Sequence, residues 1–571
     1  MSDLERPALW WVKRDFRVSD NAALVAAARH QSLIALLVLE PSIIKAKDAS
    51  ALHLHAQLDA AAKLQQTLRE LGSELYLMAG ELPDVFERVR SFINFSAIHA
   101  HQETGTQLTY ERDDKVRAWC RINQIDYHEH TQNGVVRGSH KRVDRPAILA
   151  TRLLRTAVHP APLQLPTVPS GVENCRQLLR FNPELSHGLT QGSNAQSETF
   201  ANNELCLQDV GEKLYAENTL QSLGEKQANT DLESFLNVRG QKYRGGISSP
   251  NLAFTHGSRL SAHLAWGTLS LRQVFAAKAE RENDLHNSSS KNIGVTAWRK
   301  SLNAFQSRLF WHDHFVQRFE AAPQMEFEAL NPAYQALAYL NDDEKLQRWL
   351  TGKTGIPLVD ACIRCVQTCG FLNFRMRAML VSVACYGLGQ DWRRIQYPLA
   401  HWFFDYEPGI HFSQVQMQAG VVGINTIRVY NPHKQLLEHD ADCKFVKKWI
   451  PELREFTAEE ICNYQTSPLG DYPAPPDDFE STATQMKQRI FSIRNSDEGR
   501  KASAEILEAY GSRRPASSRR RVSRHQSTAI TGRTQEAKVK ATNRDVENPG
   551  QATQVTNDNV SELNPQLTLD F

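Results

Sequence analysis

The decisive stretch runs from Thr351 to Pro432. It opens TGKTGIPLVDACIRCVQTCGFLNFRMRAMLVSVACYGLGQDWRR (351–394) and closes HWFFDYEPGIHFSQVQMQAGVVGINTIRVYNP (401–432). It is rich in aromatics, yet Arg375, Arg377, Asp405 and Glu407 sit among apolar residues. Charges in such surroundings are costly unless they are paired or hold a polar ligand. Arg375 and Arg377 lie two positions apart, about 200° around a helix. One therefore faces a pocket while the other anchors elsewhere.

The 571 residues exceed what one core holds, so two or three domains are expected. With 41% hydrophobic residues a large core can form, and a net charge of +2 rules out a global polycation, so any basic surface is local. The N-terminal MSDLERPALWWVKRDFR carries charges where a signal peptide needs an apolar run. No segment approaches the roughly 20 apolar residues of a membrane span. Nine cysteines without framework spacing suit a reducing cytoplasm, the expected location.

Residues 1–157 read as an α/β domain with a parallel, flavodoxin- or Rossmann-like sheet. Apolar runs at 8–12, 33–39, 75–78 and 97–100 alternate with helical patterns such as 53–71 and 112–122. No GxGxxG follows the first run, so a dinucleotide site there is unsupported. WVKRDFRVSDNAAL (11–24) reads as a strand-to-helix turn with Ser19 or Asp20 as N-cap. Residues 158–235, rich in Pro, Asn, Gln, Ser and Glu, read as a linker. From 236 to 510 the pattern is helical. Cys362, Cys365 and Cys369 recur on one helix face; core packing is the preferred reading over a metal or cluster site. Residues 511–571 have few large hydrophobics and are expected to be disordered.

These pieces together resemble the photolyase/cryptochrome family. The matches in its flavin-binding helical domain are WLTGKTGIPLVD (349–360), Arg375-x-Arg377, Asp391-Trp392-Arg393, Asp405-x-Glu407, Ala419-Gly420 and Tyr430-Asn431-Pro432 followed by Gln435. Their common order is far more specific than any one of them. In the first domain Arg14, Asp15, Arg17, Asp20 and Asn21 match the family's opening motif. Tyr243, Gly257-Ser258-Arg259-Leu260-Ser261 and Leu264-Ala265-Trp266-Gly267 are similar to its first flavin segment.

The resemblance implies an FAD cofactor. Tyr243, Ser258, Arg259, Leu260 and Ser261 would hold its pyrophosphate, where small residues let backbone N–H groups approach and hydroxyls donate. Arg377 and Asp405 would form a salt bridge beside the isoalloxazine, with Glu407 near the ring imide. Phe374 and Trp311 complete the candidate cofactor contacts, and Trp311 is also a candidate platform for an unstacked base, or simply core. A light-harvesting antenna, folate or deazaflavin, is left undecided; Glu103 is the candidate contact, or an exposed loop carboxylate.

The family pattern is broken at several positions. The acid expected on the Trp311 helix aligns with Arg308, the Asn expected before Arg375 is Phe374, and the Asn expected near flavin N5 falls at His411. Asn373-Phe374 also replaces the His pair of six-four photolyases. Val415-Gln416-Met417 replaces the nearest tryptophan pair of the electron-supply chain. Trp392 keeps the middle place and Tyr339 takes the outer one; Trp402 or Tyr406 offers a substitute route.

The expected activity is blue-light-driven, FAD-dependent repair of pyrimidine dimers in UV-damaged DNA, with Arg377, Asp405, His411 and Trp311 as candidate catalytic residues. The alternatives are a cryptochrome-like photoreceptor without repair and a non-catalytic lesion-binding protein. Candidate DNA contacts are Arg308, Arg375 and, in the tail, Arg519, Arg520 and Arg521. The terminal QLTLDF resembles the peptide that docks bacterial repair proteins on the sliding clamp, through Gln566, Leu567, Leu569 and Phe571. No bound metal and a monomer are expected.

Overall fold

The computed structural model describes residues 3–139, 145–154, 156–175, 178–181, 220–287 and 293–511. The tail arginines Arg519, Arg520 and Arg521 and the peptide Gln566–Phe571 lie outside the described residues.

Strands β1 (Ala8–Val12), β2 (Leu33–Leu39), β3 (Leu75–Ala79), β4 (Ala97–His101), β5 (Asp126–His130) and β6 (Leu179–Arg180) form one sheet in the order β5-β4-β1-β2-β3-β6. The first five are parallel and β6 is antiparallel to β3. Both faces are covered, so alternate residues of β1 feed different cores: Ala8, Trp10 and Val12 one, Leu9 and Trp11 the other. Burial on both sides turns the central strands into continuous apolar runs. β5 lacks such a run because it lies at the sheet edge and is only half covered.

The strand order reverses between β1 and β4, so the carboxyl ends of those strands flank a crevice. Directly after β1, Asp15 is fully buried and organises the turn. It accepts from Trp10 Nε1 at 3.1 Å, the Lys13 amide at 2.9 Å and Asn21 Nδ2 at 3.2 Å, and lies 2.8 Å from His101 Nδ1. The N-cap of the following helix, Ala22–Ala27, is Asn21, whose Oδ1 accepts from Leu24 N; it is neither Ser19 nor Asp20. Asp20 is instead turned by a positive φ of 51° toward Arg272 Nε and Ser270 Oγ, to which its carboxylate is bonded.

The helical part meets this turn closely. Gly267 has φ +67°, and a Cβ there would lie 1.9 Å from the Arg14 carbonyl oxygen, so the position admits glycine alone. Arg17 donates to the Gly267 carbonyl at 2.9 Å. The helix Glu225–Asn237 begins inside the stretch read as linker and runs two residues past it, because Leu232, Phe235 and Leu236 close a small core with Tyr243 and Phe305.

The largest core surrounds the Pro357–Cys369 helix, where Cys362 and Cys365 are wholly buried and Cys369 nearly so. Asp360 ties the preceding TGKTG turn: its carboxylate accepts from the Thr354 and Gly355 amides at 2.8 and 3.0 Å and from the Tyr472 hydroxyl at 2.5 Å. No helix among the described residues is long and apolar enough to cross a membrane.

Candidate functional site

A cavity of about 150 Å³ opens in the helical part. Its walls include Phe374, Ala378, Val381, Leu399, Phe403, Ile410 and Val415, with Ser261, His312, Arg377, Asp405, Tyr406, Glu407, His411, Gln414 and Gln418 as polar groups. Helices Phe374–Ser382, Trp392–Trp402 and Pro408–Ala419 carry most of this lining. Pro408 at N1 and the Glu407 N-cap start the last helix where the charged DYE segment ends.

Arg377 donates from both Nη atoms to both Asp405 oxygens at 2.9 and 3.0 Å, and its Nε donates to the Leu372 carbonyl at 2.7 Å. The guanidinium also lies 4.1 Å from the centre of the Phe403 ring. Burial alone would raise the Asp405 pKa; Arg377, a hydrogen bond from Ser261 and the charge of Arg259 hold it below its ordinary value. Arg375 points elsewhere and donates to Gln435 Oε1 at 3.3 Å.

Glu407 has a weaker counter-ion, Arg14 at 4.0 Å, and burial raises its pKa to about 7. His411 donates from Nε2 to the Gln396 carbonyl at 2.8 Å, and burial lowers its pKa to about 4, so it is neutral at pH 7. His312 is likewise held neutral by burial, with a pKa of about 4, and its Nδ1 has no protein partner.

Of the other sequence candidates, Trp311 stacks on Phe315 at 5.4 Å and does not line the cavity. Tyr243 packs edge-on against Phe235 and Phe305, near Arg308. Trp402 packs on Trp349 at 5.3 Å, while Trp392 is buried beneath the Arg393 guanidinium at 4.5 Å. Tyr406 lines the cavity and donates to Asp48 Oδ2 at 2.8 Å. Sequence reasoning missed His53 and Asp48, which come from the far end of the chain, and no local pattern links them to Tyr406.

A second cavity of about 130 Å³ lies at the β1 and β4 ends, with Trp11, Lys13, Glu40, Glu103 and Arg112 on one side and His53, Trp266 and Tyr406 on another. Glu103 is not an exposed loop carboxylate: it pairs with Arg112 at 2.8 Å. Burial opposes its ionisation, but Arg112, Lys13 and Arg14 prevail and hold it far below the usual range. Tyr406 lines both cavities.

The unmet groups of the site bear on whether it can hold a flavin dinucleotide. Arg259, forced to φ +59°, lies 3.7 Å from the centre of the Phe371 ring with Nη1 buried and unpartnered, between Ser258 and Ser261 in sequence. A guanidinium with a buried, unpartnered Nη1 suits an anion such as a phosphate. The apolar cavity with its Arg–Asp pair suits a flat heteroaromatic ring with polar edges. The residues fit the group.

Two family models match the chain: "DNA photolyase" over residues 8–146 and "FAD binding domain of DNA photolyase" over residues 305–492. A deoxyribodipyrimidine photo-lyase of Synechococcus sp. is 24% identical over 82% of this chain and 93% of its own length. A cryptochrome DASH of Gloeobacter violaceus is 26% identical over 78% of this chain and 86% of its own. The crystal structure of a bacterial class III photolyase from Agrobacterium tumefaciens superposes with TM-score 0.70 at 20% identity, covering 86% of this chain and 98% of that one. The chain belongs to the photolyase/cryptochrome family and carries its FAD-binding domain.

Proposed function

We propose that the protein is a light-driven DNA photolyase that splits UV-induced pyrimidine dimers. The observation that supports this most is the bidentate Arg377–Asp405 pair on the wall of a cavity also lined by Phe374, Val381, Leu399 and Phe403. Reduced FAD, when bound and excited by blue light, supplies the electron for dimer splitting.

The chain's own part is binding, position and electrostatics. Arg259, Ser258 and Ser261 would hold the phosphates. Arg377 offers positive charge that Asp405 fixes in place, and the pair sets the local potential more than it stabilises the fold. Neutral His411 and His312 keep further charge out of the cavity near pH 7, where Glu407 is about half protonated. The walls of Phe374, Val381, Leu399 and Phe403 exclude water. In this reading an antenna, folate or deazaflavin, would occupy the second cavity beside Glu103.

A photoreceptor without repair is favoured by one feature: Phe374, not a polar residue, lines the cavity beside Arg377. The test is illumination of chemically reduced protein with single- and double-stranded oligonucleotides carrying one thymine dimer. Dimer loss in light and not in darkness supports repair; none with flavin bound and reduced favours the photoreceptor.

A further inference from the structure

Two thiol pairs lie in van der Waals contact. Cys365 and Cys369 are 3.7 Å apart at Sγ, one turn apart on the same helix, and both are buried. Cys443 and Cys462 are 3.8 Å apart and come from different elements. Cys443 is the N-cap of the Lys444–Trp449 helix, and Cys462 ends the Ala458–Cys462 helix. The two pairs have nearly the same separation but different freedom to react.

On one helix, the Cα–Cβ bonds at i and i+4 lean the same way along the axis, so side chains lie above one another rather than converge. Closing a disulfide of about 2.05 Å there would bend the helix. Cys365 and Cys369 moreover sit in the main core, where an oxidant has no route.

The second pair lacks the helix restraint, and although Cys443 belongs to the same core, Cys462 only packs against its edge. Cys462 is partly exposed, whereas Cys443 is fully buried behind it. The contacts of both thiols, besides each other, are long ones to carbonyls: Cys443 to Ala458 at 3.7 Å, Cys462 to Ala441 at 3.9 Å. Each carbonyl belongs to the segment carrying the opposite cysteine, so the thiols are enclosed at a two-segment contact. The 12 residues from 450 to 461 include two short helical turns and no strand pairing, so a shift of under 2 Å breaks no sheet. Burial keeps the Cys443 thiol protonated at neutral pH.

We propose that Cys443 and Cys462 form a reversible oxidation site, closed to a disulfide by a peroxide. The accessible Cys462 thiolate attacks one peroxide oxygen, giving a sulfenic acid and hydroxide, which takes up the proton Cys462 released and becomes water. The Cys443 sulfur then attacks the sulfenic sulfur. The S–S bond forms, the S–O bond breaks, and the Cys443 proton leaves with the departing hydroxide as a second water. Two thiols and one hydrogen peroxide thus give one disulfide and two waters; a dithiol reductant reverses the change.

The bond would tie the turn after the Pro432–His439 helix to the Ala458–Cys462 helix. Gln435, the acceptor of Arg375, lies on the first of these. Oxidation therefore stiffens the support beneath one edge of the candidate site without touching a cavity residue.

The test treats full-length, flavin-loaded protein with hydrogen peroxide, traps free thiols under denaturing conditions and maps tryptic peptides without reduction. The expected product joins the peptide Gln435–Lys444 to Glu455–Lys487 with loss of two hydrogens. It disappears with dithiothreitol and in Cys462→Ser, an isosteric change at a partly exposed position that leaves the fold intact. In Cys443→Ser, Cys462 should instead accumulate sulfinic and sulfonic forms. Free or over-oxidised Cys462 in the unaltered protein, with no joined peptide, would overturn the proposal. So would a Cys365–Cys369 link forming first.

Discussion

The imidazole of His53 stacks on the phenol of Tyr406, 5.0 Å apart and 12° from parallel, while its Nε2 lies 3.1 Å from the Ala400 and 3.2 Å from the Phe403 carbonyl oxygen. A residue of the sheet domain thus caps the end of a helix that lines the candidate cavity. Burial, then the charges of Arg14 and His401, lower its pKa to about 3. Because the folded pKa is depressed, this stability is present above pH ~6.5 and is lost as pH falls toward 3. His53→Ala should cost about 2–4 kcal/mol at pH 7.5, from a void and the lost imidazole hydrogen bonding to two carbonyls that keep their backbone partners. The cost should shrink by about 1.4 kcal/mol per pH unit below 6.5. Urea denaturation at pH 7.5 and 5.5 measures both.

Arg377→Ala leaves Asp405 buried without its partner, and Asp405→Ala does the same to Arg377. Breaking a buried pair on one side typically costs about 3–5 kcal/mol. Each variant should lose most of its flavin, read as the absorbance ratio of purified protein, while the double variant recovers part of the stability. Full flavin content in both single variants would contradict the assigned role.

Glu407 behaves in the opposite sense to His53. Its folded pKa of about 7 is raised by burial against the ordinary 4.5, with Arg14 only partly offsetting this. The stability it contributes is complete below pH 4.5 and lost as pH rises through 7. Cofactor-free Glu407→Gln should therefore gain stability over the unaltered protein between pH 5 and 8, by up to about 3 kcal/mol. Equal stabilities at pH 8 would show that Arg14 compensates fully.

Tyr406 stands on the cavity wall with its proton already shared with Asp48, whereas Trp392 does not line the cavity. A phenol that loses an electron releases its proton, and the Asp48 carboxylate is placed to accept it. Under blue light with a thiol reductant, Tyr406→Phe should slow flavin reduction about tenfold, or ~1.4 kcal/mol in the barrier. Asp48→Asn should slow it too, and Trp392→Phe should not. The reverse order would restore the Trp392 route.

Much of the fold was legible because buried parallel strands announce themselves as apolar runs, as at 8–12 and 33–39. β5 was missed because DYHEH at a half-covered edge has no such run. The helix Glu225–Asn237 was missed because its buried stripe is only Ala228, Leu232, Phe235 and Leu236 in a polar stretch. At the site, the charges of 375–407 stood out against apolar neighbours, and the structure pairs Arg377 with Asp405. What remained hidden were contacts between distant segments: His53 with Tyr406, Arg14 with Glu407, and the cluster of His99, His128 and His130, which needs the β4–β5 register to appear.

The central claim is light-driven repair, and its most direct measurement is the loss of a defined thymine dimer from an oligonucleotide. Protein with chemically reduced flavin would be illuminated with blue light beside a dark control. Restored thymines are expected in the light sample alone, and none in Arg377→Ala. Undamaged binding without restoration, by protein whose flavin is present and reduced, would contradict it.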